Sequence, residues 1–272
     1  MFGKKRKGNN NFFYIFYMRV ITIASGKGGV GKTTVTTNLA IALSKLGKTV
    51  TIVDANITTP HLGMQFGSFY HPTTLNNLLR EKSASIIDAI YFHESGVRYL
   101  PGALDVNELI NVDISKLAGV VKEIPYSDFI LIDSAPGIGR EAVSAMQASE
   151  EILYVTNPNI AAVTDVIKIH EVARKTGLKP LGIVLNMVKG KAYELTAKDV
   201  EDITSLPVIA SIPYDADFER ALLLGKPYLM LKDYSRAAVE FMKLAAYIAG
   251  EEYKVPLKTY LKRFAAIIGS FF

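Results

Sequence analysis

Short apolar segments alternate with amphipathic helical segments along most of the chain. Several of the apolar segments are continuous runs of valine, isoleucine and leucine, which is typical of strands buried on both faces of a parallel sheet. The pattern therefore predicts an α/β fold: a doubly wound, mostly parallel sheet with helices on both faces. The predicted strands are 19–24, 49–53, 97–100, 129–132, 151–156, 181–185 and 208–212.

A helix is predicted shortly after the first of these strands. Apolar residues recur at helical spacing from residue 35 to residue 46, and Gly47 follows at the position where helices commonly end in a left-handed residue. In doubly wound sheets, ligands bind at the carboxyl ends of the strands. The loop between the first strand and this helix is therefore a candidate binding site. The apolar positions are Val35, Leu39, Leu43 and Leu46.

The sequence of that loop, residues 26–33, is GKGGVGKT. Its glycines allow backbone N–H groups to converge on phosphate oxygens, and the start of the helix adds a favourable dipole. Lys32 supplies a cation for the β- and γ-phosphates, and the Thr33 hydroxyl coordinates Mg²⁺. A loop of this form between a strand and a helix indicates a P-loop. The predicted nucleotide ligands in it are Gly28, Gly29, Val30, Gly31, Lys32, Thr33 and Thr34.

A second motif supports a nucleotide site that also holds a metal ion. The apolar strand that begins at residue 129 leads into Asp133, the arrangement in which a carboxylate reaches the metal from a neighbouring strand. On its own, an aspartate at a strand end is more often a cap of the following turn. Together with the P-loop, the metal-binding interpretation is favoured, so ATP and Mg²⁺ are the predicted cofactors.

Composition narrows the chemistry further. The chain has 272 residues, 49% hydrophobic and 21% charged, and residues 18–250 contain no linker and no internal repeat, so we predict one ATPase domain there. The absence of cysteine excludes disulfides, thiol catalysis and cysteine-ligated zinc or iron–sulfur clusters. The histidines lack metal-ligand spacing and are better explained as ordinary surface or core residues. They are His61, His71, His93 and His170.

The positive net charge is concentrated near the beginning of the chain. Four charges of the net +5 come from the basic run at residues 4–7, and residues 1–17 contain no acid. The remaining chain carries only +1, so a nucleic-acid-binding face is not expected. The aromatic stretch after the basic run lacks the features of a signal peptide. We expect residues 1–17 to be a disordered extension or to precede a true start at Met18; a functional anchor is the alternative.

Several motifs together resemble those of the MinD/ParA family of ATPases. The loop contains Lys27, the early additional lysine that characterises the deviant P-loop of this family. The other matching segments follow in the family's order across residues 18–250. They are VDAN at 53–56, DSAPG at 133–137, TNPN at 156–159, LN at 185–186 and IP at 212–213. On these motifs the chain is identified as a member of the family.

The resemblance implies roles for residues outside the P-loop itself. Members of the family form dimers that enclose two ATP molecules, and the signature lysine, here Lys27, reaches the phosphates bound by the partner. Asn186 matches the residue whose amide recognises adenine, and Pro213 lies in the loop beside the base. Asp54 matches the first acid of the switch region, which senses the γ-phosphate, and is an expected contributor to the metal site.

Asn56 departs from the family pattern. Family members usually have a second aspartate there, which positions or activates the attacking water. An amide can orient water through hydrogen bonds, but it cannot accept the proton. A second amide, Asn159, stands where MinD-like members usually have glutamate. Two interpretations stay open: hydrolysis is slow and the protein is a long-lived ATP-bound scaffold, or Asp54 and backbone groups suffice for hydrolysis.

The last residues predict an amphipathic helix at 257–272, after a linker at 251–256. Its apolar side chains fall within an arc of about 140° when successive residues advance by about 100°, and the segment contains no acid. It is too short to span a bilayer, so we expect it to lie in the interface of an anionic membrane. The alternative is a last helix docked on the domain's own core. The apolar set is Leu257, Tyr260, Leu261, Phe264, Ile267, Ile268, Phe271 and Phe272.

The tail favours the MinD-like branch of the family. ATP would drive homodimerisation, the dimer would present two weak membrane helices together, and loss of the γ-phosphate would release it. We therefore expect a cytoplasmic ATPase on the cytoplasmic face of the membrane, which responds to an unidentified activating protein and positions a division site or another structure. The alternatives are a ParA-type DNA-partition ATPase, which would need a basic patch, and a flagellar-number regulator with a similar tail. A metal-cluster carrier would need paired cysteines and is excluded.

Overall fold

The computed structural model describes residues 18–80 and 84–269. The predicted extension at residues 1–17 lies outside these residues, as do Phe271, Phe272 and the side chains of Ile267 and Ile268. Within the described ranges, the strands are β1 (Arg19–Ala24), β2 (Val50–Asp54), β3 (Tyr91–Phe92), β4 (Arg98–Leu100), β5 (Phe129–Asp133), β6 (Glu151–Thr156), β7 (Lys179–Val188) and β8 (Val208–Pro213).

The helices occupy the segments between and after these strands. They are α1 (Lys32–Lys45), α2 (Leu62–Gln65), α3 (Leu75–Arg80), α4 (Ile86–Ala89), α5 (Leu117–Glu123), α6 (Arg140–Gln147), α7 (Ile160–Lys175), α8 (Ala197–Thr204), α9 (Asp217–Leu223), α10 (Tyr228–Leu231), α11 (Arg236–Ala249) and α12 (Leu257–Gly269). Two short 3₁₀ helices lie at Val106–Leu109 and Ile114–Lys116.

The eight strands form one sheet in the order β3-β4-β2-β5-β1-β6-β7-β8. All neighbouring pairs are parallel except β3 and β4, which are antiparallel. The predicted doubly wound, mostly parallel sheet is therefore confirmed. Strand β3 was not predicted, because it has only two residues and its position depends on pairing with β4 rather than on an apolar run.

The central strands are buried on both faces, which explains their continuous apolar sequences. In β1, Ile21 and Ile23 pack in the cluster that includes α1 and α11, whereas Val20 packs in the cluster that includes α3 and α5. A third cluster joins α7 and α8 to β6 and β7. Helices therefore cover both faces, and the alternation along each strand directs side chains to opposite layers.

Helix α1 places the predicted loop at the centre of the sheet. It begins after Gly31, and its carboxyl end is followed by Gly47 with φ of 79°, so the predicted left-handed end is confirmed. The strand order changes direction at β1, which lies between β5 and β6. Loops from both halves of the sheet therefore meet the P-loop at this point, as in other doubly wound folds.

Helix α12 contacts the rest of the domain through its polar side. Thr259 is buried, Lys262 pairs with Asp233 at 2.9 Å, and Arg263 Nε donates to the Tyr234 carbonyl at 3.1 Å. The apolar side chains described on this helix are exposed, so they are not packed on the core. Their exposed fractions are 75% for Leu257, 54% for Tyr260, 62% for Leu261 and 64% for Phe264. Among the residues described, no helix has the length and apolar character needed to cross a membrane.

Candidate nucleotide-binding site

The P-loop has the backbone conformation that its glycines make possible. Gly29 and Gly31 have φ of 80° and 85°, which side chains other than glycine rarely tolerate. At Gly31, a Cβ atom would also overlap the side-chain nitrogen of Asn186. Gly28, Gly29 and Lys27 are exposed, so this part of the loop is open to a ligand.

Three donors from α1 converge on Asp133 at the end of β5. Lys32 Nζ lies 2.6 Å from Asp133 Oδ1, and Thr33 Oγ1 donates to Oδ2 at 2.6 Å. Thr36 Oγ1 donates to Oδ1 at 3.3 Å. The structure thus brings together the predicted phosphate lysine and two of the three predicted metal ligands, Thr33 and Asp133. Thr36 was not predicted; the signal for it is its position four residues after Lys32, on the same face of the helix.

Asp54 and Asp133 lie side by side, because β2 and β5 are neighbours and these two residues are in register. Asp54 is fully buried, and its carboxylate accepts the backbone N–H groups of His61 and Leu62 at 3.1 and 3.0 Å. Burial, and after it the charge of Asp133, raises the pKa of Asp54 to about 7. The site therefore holds two adjacent buried carboxylates, of which Asp133 pairs with Lys32 and Asp54 has a raised pKa.

The oxygen ligands available here fit Mg²⁺. The described residues contain no group of three or more acidic, histidine or cysteine side chains that would hold a metal by themselves. Magnesium usually binds through one or two carboxylates together with substrate phosphates and water. Asp133, Asp54 and the Thr33 hydroxyl provide such a set beside a P-loop whose left-handed glycines leave room for phosphate oxygens.

The side chain of Asn56 is engaged within its own loop. Its Nδ2 donates to the Thr59 carbonyl at 2.7 Å, and Thr59 Oγ1 donates to Asn56 Oδ1 at 3.1 Å. Thr58, the residue before Thr59, donates its hydroxyl to the carboxylate of Glu141 at the start of α6. An asparagine therefore has a local function here, since an aspartate could not donate to the Thr59 carbonyl. Its predicted role toward the attacking water stays a prediction.

Asn186 lies directly against the P-loop. Its side-chain Nδ2 donates to the Val30 carbonyl at 2.8 Å, and its backbone carbonyl accepts from Asn157 Nδ2 at 3.1 Å. Pro213 ends β8, the strand next to β7, so it lies at the same edge of the sheet as Asn186. Asn157 belongs to a motif that the sequence analysis noted, but its bracing contact with Asn186 was not predicted. The adenine roles of Asn186 and Pro213 stay predictions.

The surface around Lys27 is exposed and partly apolar. Lys27 makes no hydrogen bond or ion pair with any residue that the structure describes. Gly137 N–H donates to the Ser25 carbonyl at 2.8 Å, which holds the loop of Ile138 against the P-loop. Ile138 and Ile160, at the carboxyl ends of β5 and β6, are 53% and 59% exposed. The face that carries the phosphate loop therefore combines an exposed cation with exposed apolar side chains.

Comparison with known proteins decides the family. Residues 21–228 match the family described as the CobQ/CobB/MinD/ParA nucleotide binding domain. The chain belongs to the MinD/ParA family. An ATP-binding protein of Methanocaldococcus jannaschii, itself uncharacterized, is 36% identical over an alignment that covers 88% of this chain and 90% of that protein.

Two solved MinD structures are similar to this MinD/ParA member over most of their length. The septum site-determining protein MinD of Pyrococcus horikoshii, complexed with Mg-ADP, is 38% identical with a TM-score of 0.81, covering 85% of this chain and 96% of that one. The cell division ATPase MinD of Pyrococcus furiosus is 40% identical with a TM-score of 0.82, covering 85% and 98%. The predicted family and fold are thus confirmed, and the family is one of nucleotide-binding ATPases.

Proposed function

We propose that this chain is a MinD-like switch that binds ATP and Mg²⁺, dimerises in the ATP state and cycles on and off an anionic membrane surface. Its role would be to position a division site or another cellular structure from the cytoplasmic face of the membrane, under the control of an activating protein. The observation that carries the proposal is α12, which presents a row of apolar side chains outward while its polar side is held by the domain.

The nucleotide step follows from the contacts around Asp133. Lys32 and Thr33 now bond to Asp133, and in the proposed ATP state they turn to the phosphates and the metal. Thr33, Asp54 and Asp133 would hold Mg²⁺, which would replace the positive charge that Lys32 now gives to Asp133. Asp54 Oδ2 accepts the backbone N–H groups of His61 and Leu62, so a displacement of this carboxylate on metal binding would be transmitted to the start of α2.

The dimerisation step uses the exposed face around Lys27. Because Lys27 has no partner among the described residues, its ammonium is available to phosphates held by a second copy. The exposed side chains of Ile138 and Ile160 border the same loop and would be buried by that copy. These features support a homodimer whose two nucleotide sites are each completed by the partner.

The membrane step depends on how much apolar surface the tail can insert. Four apolar side chains on α12 are each more than half exposed. A short amphipathic helix binds a bilayer weakly and reversibly, and two helices on one dimer bind far more strongly through effective concentration. The membrane affinity would therefore depend on dimerisation, and through it on the bound nucleotide.

The decisive experiment is co-sedimentation of the full-length protein with phosphatidylglycerol vesicles in the presence of ATP or ADP with Mg²⁺. We expect binding with ATP that is lost after deletion of residues 257–272 and strongly reduced by Phe264→Glu, because a charge then enters the apolar face. The matched control is Phe92→Glu, since Phe92 is 79% exposed on β3 and lies outside the tail. Equal loss in both variants, or undiminished binding of the truncated protein, would refute the proposal.

A further inference from the structure

The loop between β2 and α2, residues 55–61, is attached at both of its ends to one carboxylate. At the first end, the backbone N–H of Asn56 donates to Asp54 Oδ1 at 3.3 Å. At the second end, two N–H groups at the start of α2 donate to Asp54 Oδ2 at 3.1 and 3.0 Å. Thr58 lies between these attachments and is exposed. We call residues 55–61 the Asp54 loop, because both of its ends are bonded to this predicted metal ligand.

The middle of the Asp54 loop is connected to helix α6. Thr58 Oγ1 donates a hydrogen bond to Glu141 Oε1. The other side-chain hydrogen bonds of this segment, between Asn56 and Thr59, stay within the loop. Among the residues that the structure describes, the bond to Glu141 is therefore the hydrogen bond that ties the middle of the loop to another element of the domain.

Glu141 provides a charged acceptor for this bond. It lies in the first turn of α6, where the helix dipole stabilises a carboxylate. Its second oxygen, Oε2, is buried and has no hydrogen-bond partner among the described residues. The carboxylate therefore relies on the Thr58 hydroxyl. A hydroxyl–carboxylate bond of this kind is about twice as strong as a hydrogen bond between neutral groups.

The segment that leads into α6 is itself attached to the strand before the P-loop. Ser134 Oγ donates to the Ile23 carbonyl at 2.9 Å, and Gly137 N–H donates to the Ser25 carbonyl at 2.8 Å. These bonds hold the segment between β5 and α6 beside the end of β1, and Glu141 is the second residue of the helix that follows. The bond to Glu141 therefore fixes the Asp54 loop relative to the phosphate loop.

We infer that Glu141 is a positioning residue for ATP hydrolysis and that it acts through Thr58. The Asp54 loop carries Asn56, which is predicted to orient the attacking water. An amide cannot accept the proton, so its contribution depends on where the loop holds it. Without the bond to Glu141, the loop is free to pivot about its attachments to Asp54, and a misplacement of about 1 Å can slow a reaction about 100-fold. This inference rests on the nucleotide step of the proposed function.

The test is a double-mutant cycle in the full-length protein, with Thr58→Val, Glu141→Ala and both changes together. Single-turnover hydrolysis of radiolabelled ATP with Mg²⁺ gives the rate, and calorimetry gives the ATP affinity. We expect each single variant to hydrolyse ATP about tenfold more slowly than the parent and to bind ATP equally well. The double variant should be no slower than either single variant, because the two side chains act as one unit. Thr58→Ser keeps the hydroxyl and should restore the rate of the parent.

The matched control is Thr196→Val, which removes a hydroxyl bonded to the Asp199 carboxylate at 2.7 Å in the capping box of α8. Loss of this cap should lower the melting temperature and leave the hydrolysis rate unchanged. Thr58→Val should show the opposite pattern, since substitution of an exposed residue changes stability little. The two variants therefore separate a positioning effect from a general loss of stability.

The possible outcomes distinguish this inference from the proposed function. Additive losses in the double variant, or an unchanged rate in Thr58→Val, would overturn the inference and leave the proposed switch intact. A parallel fall in ATP affinity and melting temperature would assign the bond a purely structural role and overturn the inference too. A parent that hydrolyses ATP but binds no vesicles would refute the membrane function and leave this role standing. If the parent does not hydrolyse ATP, the nucleotide cycle and the positioning role both fail.

Discussion

The substitution Asn56→Asp tests whether the amide at this position limits hydrolysis. The structure gives the substitution two opposing effects. It restores the carboxylate that family members usually have and thereby a group that can accept the proton of the attacking water. It also removes the hydrogen bond from Nδ2 to the Thr59 carbonyl and leaves a carboxylate facing that oxygen.

The magnitudes of the two effects can be estimated separately. General-base assistance contributes about 10²–10⁴-fold to a rate, which corresponds to roughly 3–5 kcal/mol of barrier. Asn56 is only 8% exposed, so a lost hydrogen bond that leaves the Thr59 carbonyl unpaired costs about 1–3 kcal/mol of stability. For a domain of this size, each kcal/mol lowers the melting temperature by roughly 2–4 °C. We therefore expect a faster but less stable enzyme.

Turnover and stability should be measured on the same preparation, by a coupled ATPase assay and by calorimetric melting. The matched control is Asn77→Asp, because the side-chain oxygen of Asn77 accepts the backbone N–H of Thr74, an aspartate can accept it equally well, and Asn77 lies outside the predicted nucleotide site. The control should leave both turnover and melting temperature nearly unchanged. If Asn56→Asp hydrolyses ATP no faster than the parent but melts at the expected lower temperature, Asn56 acts only within its loop.

Three other predictions concern the phosphate and metal residues. Lys32→Ala should weaken ATP binding at least about 10- to 100-fold in calorimetry, because the charge-assisted bond to phosphate is lost, whereas the surface variant Lys45→Ala should bind normally. Lys27→Ala should retain ATP binding but show no ATP-dependent dimer by light scattering; a variant that still dimerises would exclude the role in trans. Because the pKa of Asp54 is raised from 3.8 to about 7, the folded protein without nucleotide retains a proton that the unfolded chain has released. Its stability should fall as pH rises from about 4 to 7, and an equally steep fall in Asp54→Asn melts would contradict this assignment.

The sequence predicted the parts of the fold that depend on contiguous patterns. Strands β1 and β6 were predicted at their observed bounds, because every residue in their centres is apolar or buried. Strand β7 extends from Lys179 to Val188, beyond the predicted 181–185, because it pairs with β6 and β8 on its two sides. Pairing partners of this kind are set by the whole sheet and leave little trace in the local sequence.

The site was predictable to the same extent. The P-loop is contiguous in sequence, so its residue types and flanking elements identify it directly. The adjacency of Asp54 and Asp133 arises from the order of β2 and β5 in the sheet, and periodicity alone does not supply that order. Likewise, the helical periodicity of the tail shows which side chains of α12 are on its apolar face and which are on its polar face. It does not show that the polar face contacts Asp233 and Tyr234.

The hydrogen bond from Asn186 to the Val30 carbonyl has a consequence for base selectivity. Asn186 is predicted to recognise adenine, and its side chain also donates the hydrogen bond that supports the phosphate loop at Val30. A purine with a different pattern of donors and acceptors would displace this amide and, with it, the Val30 peptide group. Discrimination between ATP and GTP should then appear in the turnover number as well as in the dissociation constant, since a poorly matched base would leave the reacting phosphates out of alignment.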